Sequence, residues 1–182
     1  MAFIEKIHHV AYRCKNAKQT VEWYGKYLDM DFILAIAEDE VPSTQEPDPY
    51  MHVFLDAGNG NVLAFFELPT RPEMGRDPNT PTWTQHLALK VDSMDTLLKA
   101  KARLEAGGIE VIGPTDHTLF KSIYFFDPSG HRLELTARTC RDPERLAGFV
   151  KEAPEVLALW NQTHDWSQRE KVFGAKTGYV RG

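Results

Sequence analysis

A chain of 182 residues, 42% of them hydrophobic, is long enough to bury a core in one compact domain or two small modules, which excludes a largely disordered protein. Its formal net charge is -5 and its lysine and arginine residues are scattered, so we expect a small-molecule partner, no nucleic acid and no membrane surface. The amino-terminal segment resembles neither a signal peptide nor a membrane span, and Cys14 and Cys140 form no CxxC pair. Together these features favour a cytoplasmic protein with buried thiols.

The first part of the chain predicts the order βαβββ. A strand is expected over 7–13, and a helix over 17–28 follows, because apolar residues recur there every three to four positions. A proline-rich acidic loop and the turn GNGN separate the remaining elements. These are strands over 31–37, 51–55 and 62–68.

The same order returns after a second proline-rich connector. A strand over 85–91 leads to a helix over 94–106, which two glycines end. Strands are then expected over 110–112, 122–126 and 132–136. The match extends to single residues, because the pattern His-x-Ala-x-basic begins at His9 in one unit and at His86 in the other.

We therefore predict an α+β fold of two βαβββ modules that form a cupped mixed sheet, or half-open barrel. The predicted modules are residues 1–70 and 84–140, and residues 141–182 form a carboxy-terminal extension. This extension is predicted to be helical around 155–162, ahead of a polar segment that contains glycine.

Strand alternation places a histidine on the inner face of each module. In the first strand, Val10 and Tyr12 point toward the side where a helix would pack, whereas His9 and Ala11 point the other way. His86 takes the same inner position in the second repeat.

The segment YFFDPSGHRLEL predicts a hairpin whose second strand carries an inward-facing acid. Glu134 is flanked by Leu133 and Leu135, so it faces opposite to them, and a carboxylate in an interior needs a cation to offset its desolvation. If the modules lie side by side, His9, His86 and Glu134 can converge on one divalent metal and leave positions open for a chelating substrate.

The segments HHVAYRC, QHLALKV and YFFDPSGHRLEL, in this order, resemble the vicinal oxygen chelate superfamily, which includes glyoxalase I, fosfomycin resistance enzymes and type I extradiol dioxygenases. The resemblance covers residues 7–138. In that superfamily the histidines that begin the modules and the glutamate of the last strand ligate the metal. The resemblance therefore implies His9, His86 and Glu134 as ligands, either within one chain or between two chains of a homodimer.

The fourth ligand position separates the activities of this superfamily. Glyoxalase I uses two histidines and two glutamates, whereas extradiol dioxygenases use two histidines and one glutamate. Glu67 is the candidate for a second glutamate. Counted from the turn residue Gly60, however, Ala64 takes the place of Glu134, and a regular strand turns Glu67 to the opposite face.

The stretch VLAFFELP before TQHLALKV resembles extradiol dioxygenases in particular. In that family a tyrosine just before the turn, and a histidine in the preceding loop, assist the bound catechol and dioxygen, which implies Tyr124 and His117 as catalytic residues. The family's other acid-base histidine would fall near Asn61, which cannot accept a catalytic proton.

Three functions are consistent with these features. The first is an Fe(II)-dependent extradiol-type dioxygenase that cleaves a small catechol bound through two vicinal oxygens. The second is a glyoxalase-like lyase or isomerase that uses Zn, Ni, Co or Mn, with Glu67 as the acidic candidate for its base. The third is a ligand-binding resistance protein without catalysis. Members of that kind lack the metal ligands, so the presence of all three residues argues against it.

Overall fold

The structure is a computed structural model that describes residues 3–165 and residue 167. It has two successive units of order βαβββ and a final helix, which confirms the predicted α+β class. The first unit consists of β1 (Val10–Cys14), α1 (Ala17–Leu28), β2 (Asp31–Glu40), β3 (Pro47–Asp56) and β4 (Val62–Glu67). The second consists of β5 (Leu87–Val91), α2 (Met94–Ala106), β6 (Ile112–Asp116), β7 (Phe120–Phe126) and β8 (Arg132–Arg138), and α3 spans Pro143–Thr163. Residues 166 and 168–182 of the predicted extension lie outside the described residues.

Both module helices lie where the sequence predicts them, because both begin at strong capping residues. The side chain of Asn16 accepts a hydrogen bond from the backbone N–H of Gln19 at 2.8 Å, and that of Ser93 accepts one from Thr96 at 3.2 Å. Helix α1 ends at Asp29, whose φ of 53° is in the left-handed region. Local signals in the sequence therefore fix where these two helices begin.

Each module forms its own four-stranded mixed sheet. The strand order is β1-β4-β3-β2 in the first sheet and β5-β8-β7-β6 in the second. In both, the first strand of the module pairs in parallel with the last strand, and the other neighbours are antiparallel. Ala11 lies opposite Ala64, and Ala88 lies opposite Glu134. Ala64 therefore occupies in the first sheet the position that Glu134 occupies in the second.

The hydrophobic core lies between the helices α1 and α2 and one face of each sheet. Its largest fully buried side chains include Tyr24, Phe65, Phe125, Leu55 and Leu97. The apolar residues of β1 and β5 that were predicted to face the helices are partly buried against this core; they are Val10, Tyr12, Leu87, Leu89 and Val91. Ala11 and Ala88 are exposed on the opposite, inner face. The predicted assignment of strand faces is therefore confirmed.

The turn at residues 127–130 of the second module packs against the first module. The hydroxyl of Tyr24 donates a hydrogen bond to the carboxylate of Asp127 at 3.1 Å, and both residues are buried. Nε2 of His131 lies 2.6 Å from the carbonyl oxygen of Arg13. Polar contacts of this kind hold the two modules in a defined orientation.

The strand predicted over 110–112 lies later in the chain, at β6. Ile109 and Val111 pack against the core directly after α2, so this short apolar run covers the core and does not pair as a strand. Pairing with β7 begins at Ile112 and is interrupted before Thr115. An apolar run of this length predicts burial but not the strand register.

Helix α3 is longer than the sequence pattern predicts, since it begins at Pro143 rather than near residue 155. Asp142 caps it by accepting a hydrogen bond from the backbone N–H of Glu144 at 3.0 Å, and proline is favourable in the first turn of a helix. The helix has no buried residue. Among the described residues, no helix combines the length and the apolar composition needed to cross a membrane.

Candidate metal centre

The side chains of His86 and Glu134 face each other on the inner face of the second sheet. Nε2 of His86 lies 2.9 Å from Oε2 of Glu134, and only 5% of the Glu134 side chain is exposed. The hydroxyl of Ser122 donates a hydrogen bond to the other carboxylate oxygen, Oε1, at 2.5 Å. Nδ1 of His86 lies 3.2 Å from the carbonyl oxygen of Thr84. The two second-module ligands proposed from the sequence therefore lie within reach of one ion.

The hydrogen bonds around His86 favour a cation between its ring and the carboxylate. The carbonyl of Thr84 can only accept, so Nδ1 carries a proton, and Nε2 of a neutral ring then presents a lone pair to Glu134. Two lone pairs separated by 2.9 Å repel each other beside a buried carboxylate unless a second proton or a metal ion lies between them. Metal-binding histidines commonly donate their other ring N–H to a carbonyl. The donor set therefore fits a divalent metal on Nε2 and Oε2.

Tyr124 and His117, the proposed catalytic residues, lie on the same side of the second sheet. Tyr124 is opposite Glu134 in the β7–β8 register, and its ring centroid lies 6.0 Å from that of His86. Its hydroxyl is 2.7 Å from Nε2 of His117, and the guanidinium of Arg132 lies 4.4 Å from the centre of its ring. Burial, and then the negative charge of Glu134, raise the pKa of Tyr124, so its hydroxyl stays protonated and can donate at neutral pH.

His9, the third proposed ligand, lies on the first module, apart from this pair. Its Nδ1 is 2.9 Å from Nδ1 of His8, and its ring neighbours are His52 and Phe54. Within residues 3–165 and 167, no group of three or more histidine, cysteine or acidic side chains is placed to hold a metal. One chain therefore brings together two of the three proposed ligands, His86 and Glu134, but not His9.

His52 is a residue of the first inner face that the sequence patterns did not single out. Its ring stacks on Phe66 with 3.6 Å between centroids and lies 6.3 Å from the ring of His9. Its Nε2 is buried without a hydrogen-bond partner among the described residues, and burial, followed by the neighbouring His9, lowers the pKa of His52. His52 occupies in the first sheet the position that Ser122 occupies in the second, because His52 pairs with Phe66 as Ser122 pairs with Thr136, and no local sequence pattern determines this register.

Glu67 and Asn61 have structural partners away from the inner face. The carboxylate of Glu67 accepts a hydrogen bond from the backbone N–H of Ala17 at 2.5 Å, at the amino terminus of α1. The side chain of Asn61 donates to the carbonyl of Gly58 at 2.8 Å and so closes the turn between β3 and β4. Each of these side chains therefore stabilises local structure.

Comparison with known proteins finds a matching family model and three similar proteins. The family model of the Glyoxalase/Bleomycin resistance protein/Dioxygenase superfamily matches residues 6–135. Metallothiol transferase FosB from Shouchella clausii is 34% identical over 119 residues, which cover 59% of this chain and 80% of the relative. The crystal structure of a glyoxalase family protein from Enterococcus faecalis is 27% identical, with a TM-score of 0.54, and covers 74% of this chain and 99% of its own. The fosfomycin resistance protein FosX from Listeria monocytogenes was crystallised with Mn(II) and sulfate, and it is 20% identical to this chain with a TM-score of 0.54. The match covers 75% of this chain and 95% of FosX, and at this identity it shows a similarity of fold alone.

Proposed function

The chain belongs to the Glyoxalase/Bleomycin resistance protein/Dioxygenase superfamily, and from this premise we propose that it is a divalent-metal-dependent enzyme acting on a small molecule. The observation that carries this proposal is the distance of 2.9 Å between Nε2 of His86 and Oε2 of Glu134, at a buried carboxylate. Imidazole nitrogens and a carboxylate suit Mn, Fe, Zn, Co or Ni. When bound, the ion supplies Lewis acidity to the oxygens of a chelating substrate.

We assign the third ligand, His9, to a second copy of the chain. Within one chain, His9 lies beside His52 on the first module, whereas His86 pairs with its carboxylate on the second. Strand β2 also exposes a run of apolar side chains of the kind that a protein interface covers. Their exposed fractions are 52% for Phe32, 52% for Ile33, 48% for Leu34 and 38% for Ile36. A two-fold dimer would cover such a surface and form two equal metal centres.

The reaction that we favour is the transfer of a thiol to a small, oxygen-bearing electrophile. The support is the relative named metallothiol transferase, of which this chain matches 80% at 34% identity. In this reaction the thiol loses its proton and its sulfur forms a bond to carbon, while a carbon–oxygen bond breaks and the released oxygen takes up a proton. Tyr124 would donate a hydrogen bond to the oxygen on which charge develops, and His117, whose Nε2 lies 2.7 Å from the Tyr124 hydroxyl, would hold that hydroxyl in position.

Incubation of the Mn-loaded protein with fosfomycin and a thiol, followed by mass spectrometry of the products, tests this function. We expect an adduct that carries one thiol per fosfomycin, and we expect Glu134→Gln to abolish it. Glu73→Gln, at an exposed residue of the connector, is the matched control and should leave the rate unchanged. If no adduct forms with Mn, Fe, Zn, Co or Ni, the chain is not a thiol transferase for this substrate.

A second candidate is the Fe(II) extradiol-type dioxygenase that the sequence resemblance implies. The hydrogen bond between Tyr124 and His117 at 2.7 Å favours it, because the resemblance to extradiol dioxygenases implied this pair. Asn61 argues against it, because the other acid-base histidine of extradiol dioxygenases would fall near this residue. Its side chain cannot accept a catalytic proton and is hydrogen-bonded within a turn. Oxygen uptake with a panel of catechols, by protein loaded with Fe(II) under anaerobic conditions, decides the question. Uptake coupled to ring opening would replace thiol transfer as the function.

A further inference from the structure

His52 lies in the second half of β3, on the inner face of the first sheet. The next residue along the strand, Val53, is buried in the hydrophobic core, so strand alternation turns His52 to the opposite, inner side. The ring of Phe54 lies 4.1 Å from that of His52 and 5.9 Å from that of His9, measured between centroids. These three rings therefore form one continuous row on the inner face.

The register of the two sheets gives His52 the place of a residue that contacts a proposed metal ligand. The equivalent residue of the second sheet is Ser122, whose hydroxyl donates a hydrogen bond to the carboxylate of Glu134. In the first sheet Ala64 takes the place of Glu134, and its methyl group offers no donor atom. An imidazole in the place of the Ser122 hydroxyl is long enough to provide a donor atom that the alanine lacks.

The hydrogen bonds of the histidines give an independent indication of a missing partner. Nε2 of His52 is buried without a hydrogen-bond partner among the described residues, and a buried polar nitrogen of this kind is unfavourable unless a partner is supplied. Nδ1 of His9 lies 2.9 Å from Nδ1 of His8, just as Nδ1 of His86 lies 3.2 Å from the carbonyl oxygen of Thr84. His9, like His86, would therefore bind an ion through Nε2.

The rings of His9 and His52 are close enough to contact one ion. Their centroids lie 6.3 Å apart. Two imidazoles that each bind an ion at about 2.1 Å can have ring centres up to about 6.4 Å apart. The separation of the two rings lies within this limit.

We propose that His52 is a fourth protein ligand of the metal centre, supplied by the same module as His9. This assignment rests on the proposed function, in which His9 and His52 of one chain meet His86 and Glu134 of a second copy. Three imidazole nitrogens and one carboxylate favour Fe, Co, Ni, Cu or Zn over Mn. A six-coordinate ion would then keep two positions, which a chelating substrate fills.

Pulsed electron paramagnetic resonance of the Cu(II)-loaded full chain counts the coordinated imidazoles and needs no substrate. We expect three imidazoles in the unaltered protein and two in His52→Phe, which keeps a ring between Phe54 and Phe66 but removes the nitrogens. The affinity for Cu(II), measured by competition with a chelator, should fall by more than about 100-fold, the largest effect expected of a residue outside the ligand set. His164→Ala is the matched control, because His164 caps α3 and lies outside both sheets, so the count should stay at three.

The outcomes separate this assignment from the proposed function. If His52→Phe does not fold, His52→Gln repeats the measurement with a polar side chain. Two imidazoles in the unaltered protein, or an equal count in the unaltered protein and the His52 variant, would overturn the assignment of His52 and leave the centre of His9, His86 and Glu134 in place. Three imidazoles without thiol transfer by any metal form would support the assignment and refute the proposed reaction. No specific binding of Cu(II) to the unaltered chain would overturn both.

Discussion

His9→Ala and Glu134→Gln each remove one proposed ligand, and the two ligands lie on different modules. His9 neighbours His52 on the first module, whereas Glu134 faces His86 on the second. If each centre combines the first module of one chain with the second module of its partner, a homodimer of either variant has two damaged centres. Each variant alone should therefore bind little metal and show no activity.

A mixed dimer of the two variants should recover one centre. One of its centres contains both substitutions, whereas the other combines the intact His9 of the Glu134→Gln chain with the intact His86 and Glu134 of the His9→Ala chain. Random exchange of equal amounts makes about half of the dimers mixed, and half of their centres are intact, so about a quarter of all centres should recover. The expected metal content of the mixture is therefore about a quarter of that of the unaltered protein.

The assay is to unfold and refold the two variants together, then to measure metal per chain by mass spectrometry and the rate of product formation. A mixture of His86→Ala with Glu134→Gln is the matched control. Both of these ligands come from the same chain, so every centre of that mixed dimer remains damaged. No recovery in the first mixture, or equal recovery in both mixtures, would refute the assignment of His9 to a second copy.

Three further predictions concern the surroundings of the centre and the contact between the modules. Ser122→Ala removes the hydrogen bond that orients Glu134, so we expect metal affinity to fall by about 10-fold to 100-fold, measured by competition with a chelator. An unchanged affinity would show that the carboxylate is oriented by other contacts. Tyr124→Phe should lower kcat by about 100-fold without changing the metal content, since it removes only the donor for the developing charge, and steady-state kinetics with metal analysis check both parts. Burial raises the pKa of Tyr24 well above its usual value, so the folded state holds this proton more tightly than the unfolded state. The contribution of the protonated Tyr24 hydroxyl to the free energy of unfolding is therefore complete below about pH 10. Above that pH it decreases by up to about 1.4 kcal/mol per pH unit. Tyr24→Phe should remove that alkaline dependence and should lower the free energy of unfolding at pH 7 by about 1–2 kcal/mol, because the hydrogen bond to Asp127 is lost; urea titrations across this pH range measure both effects.

Much of the fold could be predicted because its determinants are local in the sequence. Asn16 and Ser93 cap the two module helices, and the repeated histidine pattern places two equivalent strands. Helix α3 was predicted to begin too late. Its start depends on Asp142 and Pro143, whereas the hydrophobic periodicity that guided the prediction is clear only near its end.

The candidate centre could be predicted only in part, because several of its contacts join residues that are distant in sequence. The inward direction of Glu134 follows from alternation, and the structure confirms that this side chain is buried beside His86. The contribution of Ser122 depends on the pairing of β7 with β8, which no local pattern determines. The separation of His9 from the other two proposed ligands depends on how two complete modules pack, and that arrangement leaves no periodic signal in the sequence.

The methyl side chain of Ala64 makes the two repeats chemically unequal. A carboxylate at that position would give His9 an acidic neighbour of its own, and each module could then begin to collect a cation independently. With alanine there, the proposed ligand His9 could share a cation with a carboxylate only if another module supplied that carboxylate. If that module belongs to a second chain, metal occupancy and chain association become thermodynamically linked, so that dilution of the protein releases the ion and added metal drives the chains together.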